Sequence, residues 1–294
     1  MLAEAVGTHH TAQTYKLSDA RVQAAKTMHL YGEPHGDYSI FPTAAVSRIA
    51  RQHVTVALAG DGGDEVFWGY KHFLAYSAHH NKSAFPLRHT GEMLLRQIVP
   101  MGVKGRNFAL RFFVDDFDLH TISMGGLTRE DKLRLLAPDL RDLFRDYDDY
   151  WAFREHWRLD VPLGTRLQYL DLKTYLPEGV LMKVDRASMS ESLESRAPLL
   201  DHKLVEEVFS WPESIRSDGK TLKYLFKKAL TGILPEPLLH KPKQGFSIPW
   251  RSWVRDWDDL RDLKGDGTFF RKDASLPPIY MALVIQDWLK RKPS

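Results

Sequence analysis

VTVALAGDGGDEVFWGYKHF, residues Val54 to Phe73, carries the strongest structural signal in the chain. It reads as a buried strand with Val54, Val56 and Leu58, then a turn of Gly60, Asp61, Gly62 and Gly63. A helix follows from near Asp64 or Glu65, with Val66, Phe67 and Tyr70 to bury. A parallel strand that ends in glycines and enters a helix is where open α/β sheets usually bind ligands. Glycines let the backbone bend and present N–H groups to an anion, and the helix start adds partial positive charge. Asp61, Asp64 and Glu65 crowd the same few residues, and bare carboxylates repel a phosphate. A hard divalent cation between acid and phosphate, most simply Mg²⁺, reconciles the two facts and points to a metal-nucleotide site. An ordinary strand-to-helix turn whose acids cap the helix is the alternative these residues alone leave open.

The 294 residues suffice for one large domain or two of ordinary size. Apolar residues make up 43% and charged residues 27%, so a sizeable core is possible and the composition is that of a globular protein. A net charge of +3 is too small on this length to argue for nucleic acid or a membrane surface as partner. The absence of cysteine excludes disulfides, a Cys-ligated metal and a cysteine nucleophile, and with it an N-terminal cysteine glutaminase, within this polypeptide. No apolar run approaches the ~20 residues of a membrane span, and MLAEAVGTHHTAQTY lacks the basic and apolar regions of a signal peptide, so a cytoplasmic protein is expected. The histidines show no HExxH or similar metal spacing.

Upstream, Leu2 to Val6 reads as the tail of a helix stopped at Gly7, Thr11 to Leu17 as a strand, and Ser18 or Asp19 as the cap of a helix running to about Leu30. YGEPHGDYSIFPTAAVSRIARQH begins as a loop and turns helical near Pro42, which suits a first helical turn. Strand, helix, helix, strand is the order of a parallel sheet with crossovers, entered here partway through. Such a chain is expected to expose an apolar strand edge. From Asp64 onward alternation disappears. Gly91 to Val99, Leu140 to Tyr147, Thr165 to Leu176 and Thr221 to Leu230 have helical spacing, broken by Pro162, Pro177, Pro198, Pro212 and Pro235. The second part therefore reads as mostly helical, with a boundary near residues 80 to 100.

Two later stretches carry charge in unusual settings. LPEGVLMKVDRASMSESLESRAPLLDHKLVE, Leu176 to Glu206, puts Val180, Val184 and Ala187 on one helical face with Lys183 and Arg186 beside it, breaks at Ala197 and Pro198, and offers Asp201 as the next cap. Its charged residues either serve a site or form ion pairs that fix helix packing. LLHKPKQGFSIPWRSW, Leu238 to Trp253, is a loop with a hinge at Gly245, and a lysine on it could reach a phosphate as a point charge.

Taken together, these stretches resemble the synthetase domain of glutamine-dependent asparagine synthetases. AGDGGDEVFWGY is similar to that family's SGDGGDELFGGY, LMKVDRASMSESLESRAPLLDHKLVE to VKVDRASMAxSLExRxPFLDHxLVE, KYLFKKAL with KPKQGF to its lysine loop RPKxGF, and EPHGDYSIFP to DEPFADSSALP. The resemblance covers about residues 3 to 257. It implies an α/β fold, with residues 1–85 the C-terminal part of a parallel-sheet ATP-pyrophosphatase domain of the adenine nucleotide α-hydrolase type and 86–294 a mostly helical region completing the synthetase domain. It also implies a reaction: a carboxylate, aspartate or an analogue, attacks the α-phosphorus of ATP, and ammonia from glutamine displaces AMP from the acyl-adenylate. By the same resemblance, backbone groups of Ala59, Gly60 and Gly62 hold the nucleotide, Asp64 holds Mg²⁺, and Asp61 is general base on the amine. Lys243 neutralises phosphate charge, and Lys183 lies near the acyl substrate or pyrophosphate. These roles agree with the chemistry, because adenylation gathers charge on oxygens around phosphorus.

The chain departs from the family pattern at Ala59 in place of serine, Trp68 in place of glycine and Gly32 in place of aspartate. The family's pyrophosphate loop, SGGxDS, and its glutaminase domain are not found in these residues. The expectation is a C-terminal portion of an amidotransferase that works with a separate glutaminase or pyrophosphate-loop chain, or a non-catalytic binding module derived from one. A relative forming another amide or a β-lactam is the further alternative within the enzyme class.

Overall fold

The computed structural model describes residues 2–14, 30–74, 88–99, 105–110, 112–124, 129–241, 284–285 and 288. Among these, the elements in chain order are α1 (Leu2–Ala5), α2 (Ile40–Arg51), β1 (Val56–Leu58), α3 (Gly63–Val66), α4 (Arg88–Ile98), α5 (Arg106–Leu110), α6 (Asp116–Ser123), α7 (Arg129–Leu135), α8 (Pro138–Leu143), α9 (Trp151–Glu155) and α10 (Leu163–Lys173). A π-helical turn (Leu176–Leu181), α11 (Met182–Met189), β2 (Glu194–Arg196), a 3₁₀ turn (Pro198–Leu200), α12 (His202–Ser210), α13 (Glu213–Arg216), α14 (Tyr224–Ala229) and α15 (Glu236–Leu239) follow. This is a mixed α/β architecture with a small parallel sheet and a helix-dominated remainder, as the sequence implies. The chain groups into two compact units, Met1–Tyr70 with Asp171–Trp253, and Lys71–Leu170 with Val254–Ser294.

In the first unit, β1 and β2 pair in parallel, with Val56 opposite Glu194, Ala57 opposite Ser195 and Leu58 opposite Arg196. Ala59 N–H donates to the Arg196 carbonyl at 2.8 Å, and Glu194 N–H to the Thr55 carbonyl at 2.9 Å. The sequence reading missed β2, because Glu-Ser-Arg has neither alternation nor apolar content. Its reading of Val54, Val56 and Leu58 as buried is also corrected: among the described residues the sheet has two strands, and Leu58 remains 75% exposed. Thr11 to Thr14 form no strand, and residues 15–29, read as the strand's end and a helix, lie outside the described residues. The helix read from Pro42 starts at Ile40, two residues earlier. Pro177 does not end a helix. It sits in the first positions of the π-helical turn, which runs straight into α11, and Met182 N–H donates back to the Pro177 carbonyl.

The apolar face of α2 (Ile40, Phe41, Ala44 and Ala45) is buried, and α2 packs on α11, whose Ala187 is also buried. Two polar ties lock this pair. Arg48 forks onto the Glu191 carboxylate at 2.5 to 3.2 Å. Lys183 Nζ donates to Ser39 Oγ at 2.9 Å and lies 3.1 Å from Asp37 Oδ2. A second core joins Val66, Phe67 and Val208 to Leu199, Leu200, Leu204 and Leu225, with Phe67 stacked on Phe226 at 4.9 Å between ring centroids. Asp201 caps α12 through the Lys203 N–H at 2.9 Å, as read from sequence. In the second unit, Arg96 bridges Glu92 and Asp118, and Arg154 covers the Phe117 ring.

Trp68 is 4% exposed and has φ +58°, the left-handed conformation that suits the glycine of the family pattern. Two opposed effects meet here. Replacing it by glycine relieves about 1–2 kcal/mol of backbone strain but gives up about 3–5 kcal/mol of buried indole. Trp68→Gly should therefore lower stability by roughly 1–4 kcal/mol in urea titrations, and an unchanged or higher midpoint would show that the strain dominates.

Burial works against the charge of Asp37, yet the Lys183 ammonium and hydrogen bonds from Ser39 and Lys183 outweigh it and hold the carboxyl below the usual carboxylate range. A carboxyl so depressed contributes stability that is full above its unfolded value, about pH 4, and is lost as pH falls through its folded value. Asp37→Asn should cost about 1–2 kcal/mol at pH 7, with the gap to the parent closing in acid. A constant gap from pH 7 to pH 3 would rule out the charge as its source.

Candidate active site

The turn after β1 is shaped by close approach. Gly62 has φ +82°, and a Cβ there would lie 2.1 Å from Leu200 Cδ2, so only glycine lets the 3₁₀ turn pack beneath it. Gly60 differs: a Cβ there would meet nothing within 4 Å, so the described fold leaves open space at this glycine. Its carbonyl accepts the Gly63 N–H at 3.3 Å. The N–H groups of Gly60 and Gly62 donate to no described residue, whereas that of Ala59 is committed to β2. The helix expected after the turn is the four-residue α3, too short to add much dipole.

Three neighbouring acids meet three different environments. Glu65 is 1% exposed and accepts a hydrogen bond from Tyr70 Oη at 2.6 Å. Burial pushes its carboxyl up, Tyr70 opposes this, and the carboxylates of Asp64 and Asp171 add to it. Burial, with Glu65 next, also raises the Tyr70 phenol, and Tyr175, edge-on to Tyr70 at 6.0 Å, is pushed up to about 12 by burial and the Asp37 and Glu65 carboxylates. Asp61 is half-buried. Desolvation raises its carboxyl above the ordinary value while the nearby Lys183 ammonium pulls it down. Asp64 Oδ1 lies 3.0 Å from Lys223 Nζ.

Of the residues singled out in the sequence, the fold brings Asp61, in the turn after β1 with Ala59, Gly60 and Gly62, within electrostatic range of Lys183 on α11. Asp64 is paired elsewhere, to Lys223. Lys243 lies outside the described residues. The sequence reading assigned no role to Asp37, Ser39 or Lys223, and read Tyr70 only as a residue to bury. EPHGDYSIFP and KYLFKKAL were recognised as motifs, but their polar contacts span 144 and 159 positions respectively, which no local periodicity reports.

The asparagine synthase family model matches residues 1–274. The chain is 28% identical over 261 residues to asparagine synthetase [glutamine-hydrolyzing] 1 of Bacillus subtilis, covering 86% of this chain and 40% of that protein. It is 27% identical over 252 residues to asparagine synthetase [glutamine-hydrolyzing] 3 of the same organism, covering 83% and 35%. It is 24% identical over 235 residues to the amidase chyE of Penicillium rubens, covering 71% and 34%. The chain thus spans about 40% of the length of the first of these relatives. With the strand–turn geometry and the match over nearly the whole sequence, the chain belongs to the asparagine synthase family.

Proposed function

We propose that this chain forms the nucleotide and acyl-substrate part of an ATP-dependent amidotransferase that activates a carboxylate by adenylation and then forms an amide with ammonia from glutamine. The observation that carries the reading is the grouping of charge near the glycine turn after β1. There Asp61, a carboxyl that burial biases toward holding a proton, lies within the field of Lys183, an ammonium fixed by Asp37 and Ser39.

The residues fit the groups the reaction requires. Asp64 offers a hard oxygen that already faces a cation, the Lys223 ammonium, which supports it as the ligand of Mg²⁺. Bound there, Mg²⁺ would screen charge on the phosphates of ATP. The N–H groups of Gly60 and Gly62 and the open space at Gly60 suit close approach of a nucleotide. In this reading a carboxylate such as aspartate displaces pyrophosphate from the α-phosphorus. Lys183 offsets negative charge beside it, as Lys243 does on the phosphates. Asp61 takes the proton of the amine as nitrogen attacks the acyl carbon and AMP leaves. A raised proton affinity favours that last step. The glutaminase and the pyrophosphate-binding loop belong, in this proposal, to a further domain or a partner chain, and the setting is cytoplasmic. No helix among the described residues is long and apolar enough to cross a membrane.

Calorimetry with ATP and Mg²⁺ should show saturable binding by the 294-residue chain and none by Asp64→Ala. Equal binding by both, or none by the folded parent, would overturn the nucleotide assignment. Asp61 yields a second test. A carboxyl raised above its unfolded value leaves stability full below about pH 4 and lost as pH rises through the folded value. Asp61→Asn should therefore melt higher than the parent at pH 7 and together with it near pH 3, and a lower melting point at pH 7 would contradict a base biased toward its protonated form.

A further inference from the structure

Lys223 has φ +56° and ψ +36°, left-handed for a residue with a Cβ and no short polar side chain to favour it. Only three non-glycine residues among those described have positive φ: Trp68, Ser192 and Lys223. Two of the three meet, since Lys223 N–H donates to the Trp68 carbonyl at 3.1 Å. The next residue, Gly69, donates its N–H to the Asp64 carbonyl at 2.7 Å, and a Cβ on it would lie 1.9 Å from Asp64 Oδ1. The backbone of Asp64, Trp68, Gly69 and Lys223 is therefore tied into one knot that aims the lysine at the Asp64 carboxylate. Nζ lies 3.0 Å from Oδ1 and 3.7 Å from where a Gly63 Cβ would stand, so the ammonium sits over the glycine turn. Both side chains keep about a third of their surface in solvent, 32% for Lys223 and 28% for Asp64, so a small ion can reach them. Strain held in place by surrounding contacts is a mark of functional sites.

We propose that Lys223 is a further residue of the nucleotide site. Its ammonium holds the cation position of Asp64 in the ligand-free chain, yields it to the divalent cation of an incoming metal-nucleotide, and then pairs with a phosphate oxygen. The proposal rests on the reading of Asp64 as a metal ligand. Two cations do not share one carboxylate oxygen without strong repulsion. The flexible lysine stem can swing while the backbone knot keeps its root within reach of the turn. Until that exchange the ammonium keeps the carboxylate aimed.

The test uses Mn²⁺, whose free form is counted by electron paramagnetic resonance, on the purified chain. Asparagine tolerates the left-handed backbone, so Lys223→Asn removes the charge with little added strain, and Lys223→Gly is the second variant should the first fold poorly. Either should bind Mn²⁺ alone about two- to fivefold more tightly than the parent, the scale of a partly exposed ion pair. Either should also bind Mn²⁺–ATP more weakly than the parent, and Lys223→Arg should behave as the parent. Asp64→Asn should abolish the Mn²⁺ signal in every background. Mn²⁺ affinity that depends on Asp64 but not on Lys223 would overturn the exchange while leaving the metal assignment standing. Affinity unaffected by Asp64→Asn, or no binding by parent and variants alike, would overturn both.

Discussion

The three-residue parallel ladder between Val56–Leu58 and Glu194–Arg196 joins two stretches that lie far apart in sequence, and the candidate site depends on that joint. So short a ladder is not stable by itself. It is held because the segment leaving β2 turns at once into the 3₁₀ element whose Leu200 fills the space over Gly62, and because Leu199 and Leu200 pack with Val66 and Phe67 just beyond the turn. The chain enters and leaves β2 under constraint. On the entering side, α11 is fixed to α2 by Arg48–Glu191 and by Lys183 with Asp37 and Ser39. The same polar contacts that fix helix packing also set the position of Lys183. Of the two readings that the sequence left open for these charges, ion pairing that fixes helix packing is the one these contacts display.

What the sequence made legible follows from local physics. The turn Gly60 to Gly63, the capping of α12 by Asp201 and the burial of Val66 and Phe67 were all readable, because each depends on neighbours within a few residues. The resemblance of motifs carried the family, which composition could not. The rest was hidden for equally physical reasons. β2 is made of charged and polar residues and is a strand only by virtue of its partner. The π-helical turn at Leu176–Leu181 contradicts the usual meaning of a proline, since Pro177 lies at its start, where a missing N–H costs nothing. The exposure of Leu58 could not be read from Val-Ala-Leu, because burial of a strand depends on how many neighbours its sheet has.

Asp61, Asp64 and Glu65 show how little the identity of a residue says about its charge. All three are acids within five positions, and the sequence reading could treat them only as a cluster. Glu65 is buried and accepts a hydrogen bond from Tyr70, and desolvation raises its proton affinity. Asp64 faces the Lys223 ammonium, its Oδ1 3.0 Å from Nζ. Asp61 is between these extremes, desolvated enough to resist ionisation and near enough to Lys183 to be drawn back toward it. That intermediate condition is the one the proposed role of Asp61, a base that accepts a proton at one step and surrenders it at another, requires.

Trp68 shows why the turn tolerates a departure from the family's glycine. Its left-handed backbone is a cost at a residue with a Cβ, yet the indole is buried and the carbonyl is bonded to Lys223, itself left-handed. One strained residue beside a turn could relax by a small rotation. Two that share a hydrogen bond cannot relax independently, because rotating either breaks the contact that satisfies the other. The burial of Trp68 thus secures Lys223, and through it the direction of the Asp64 carboxylate, so a bulky substitution next to the glycine turn reinforces the geometry that glycine alone would leave loose.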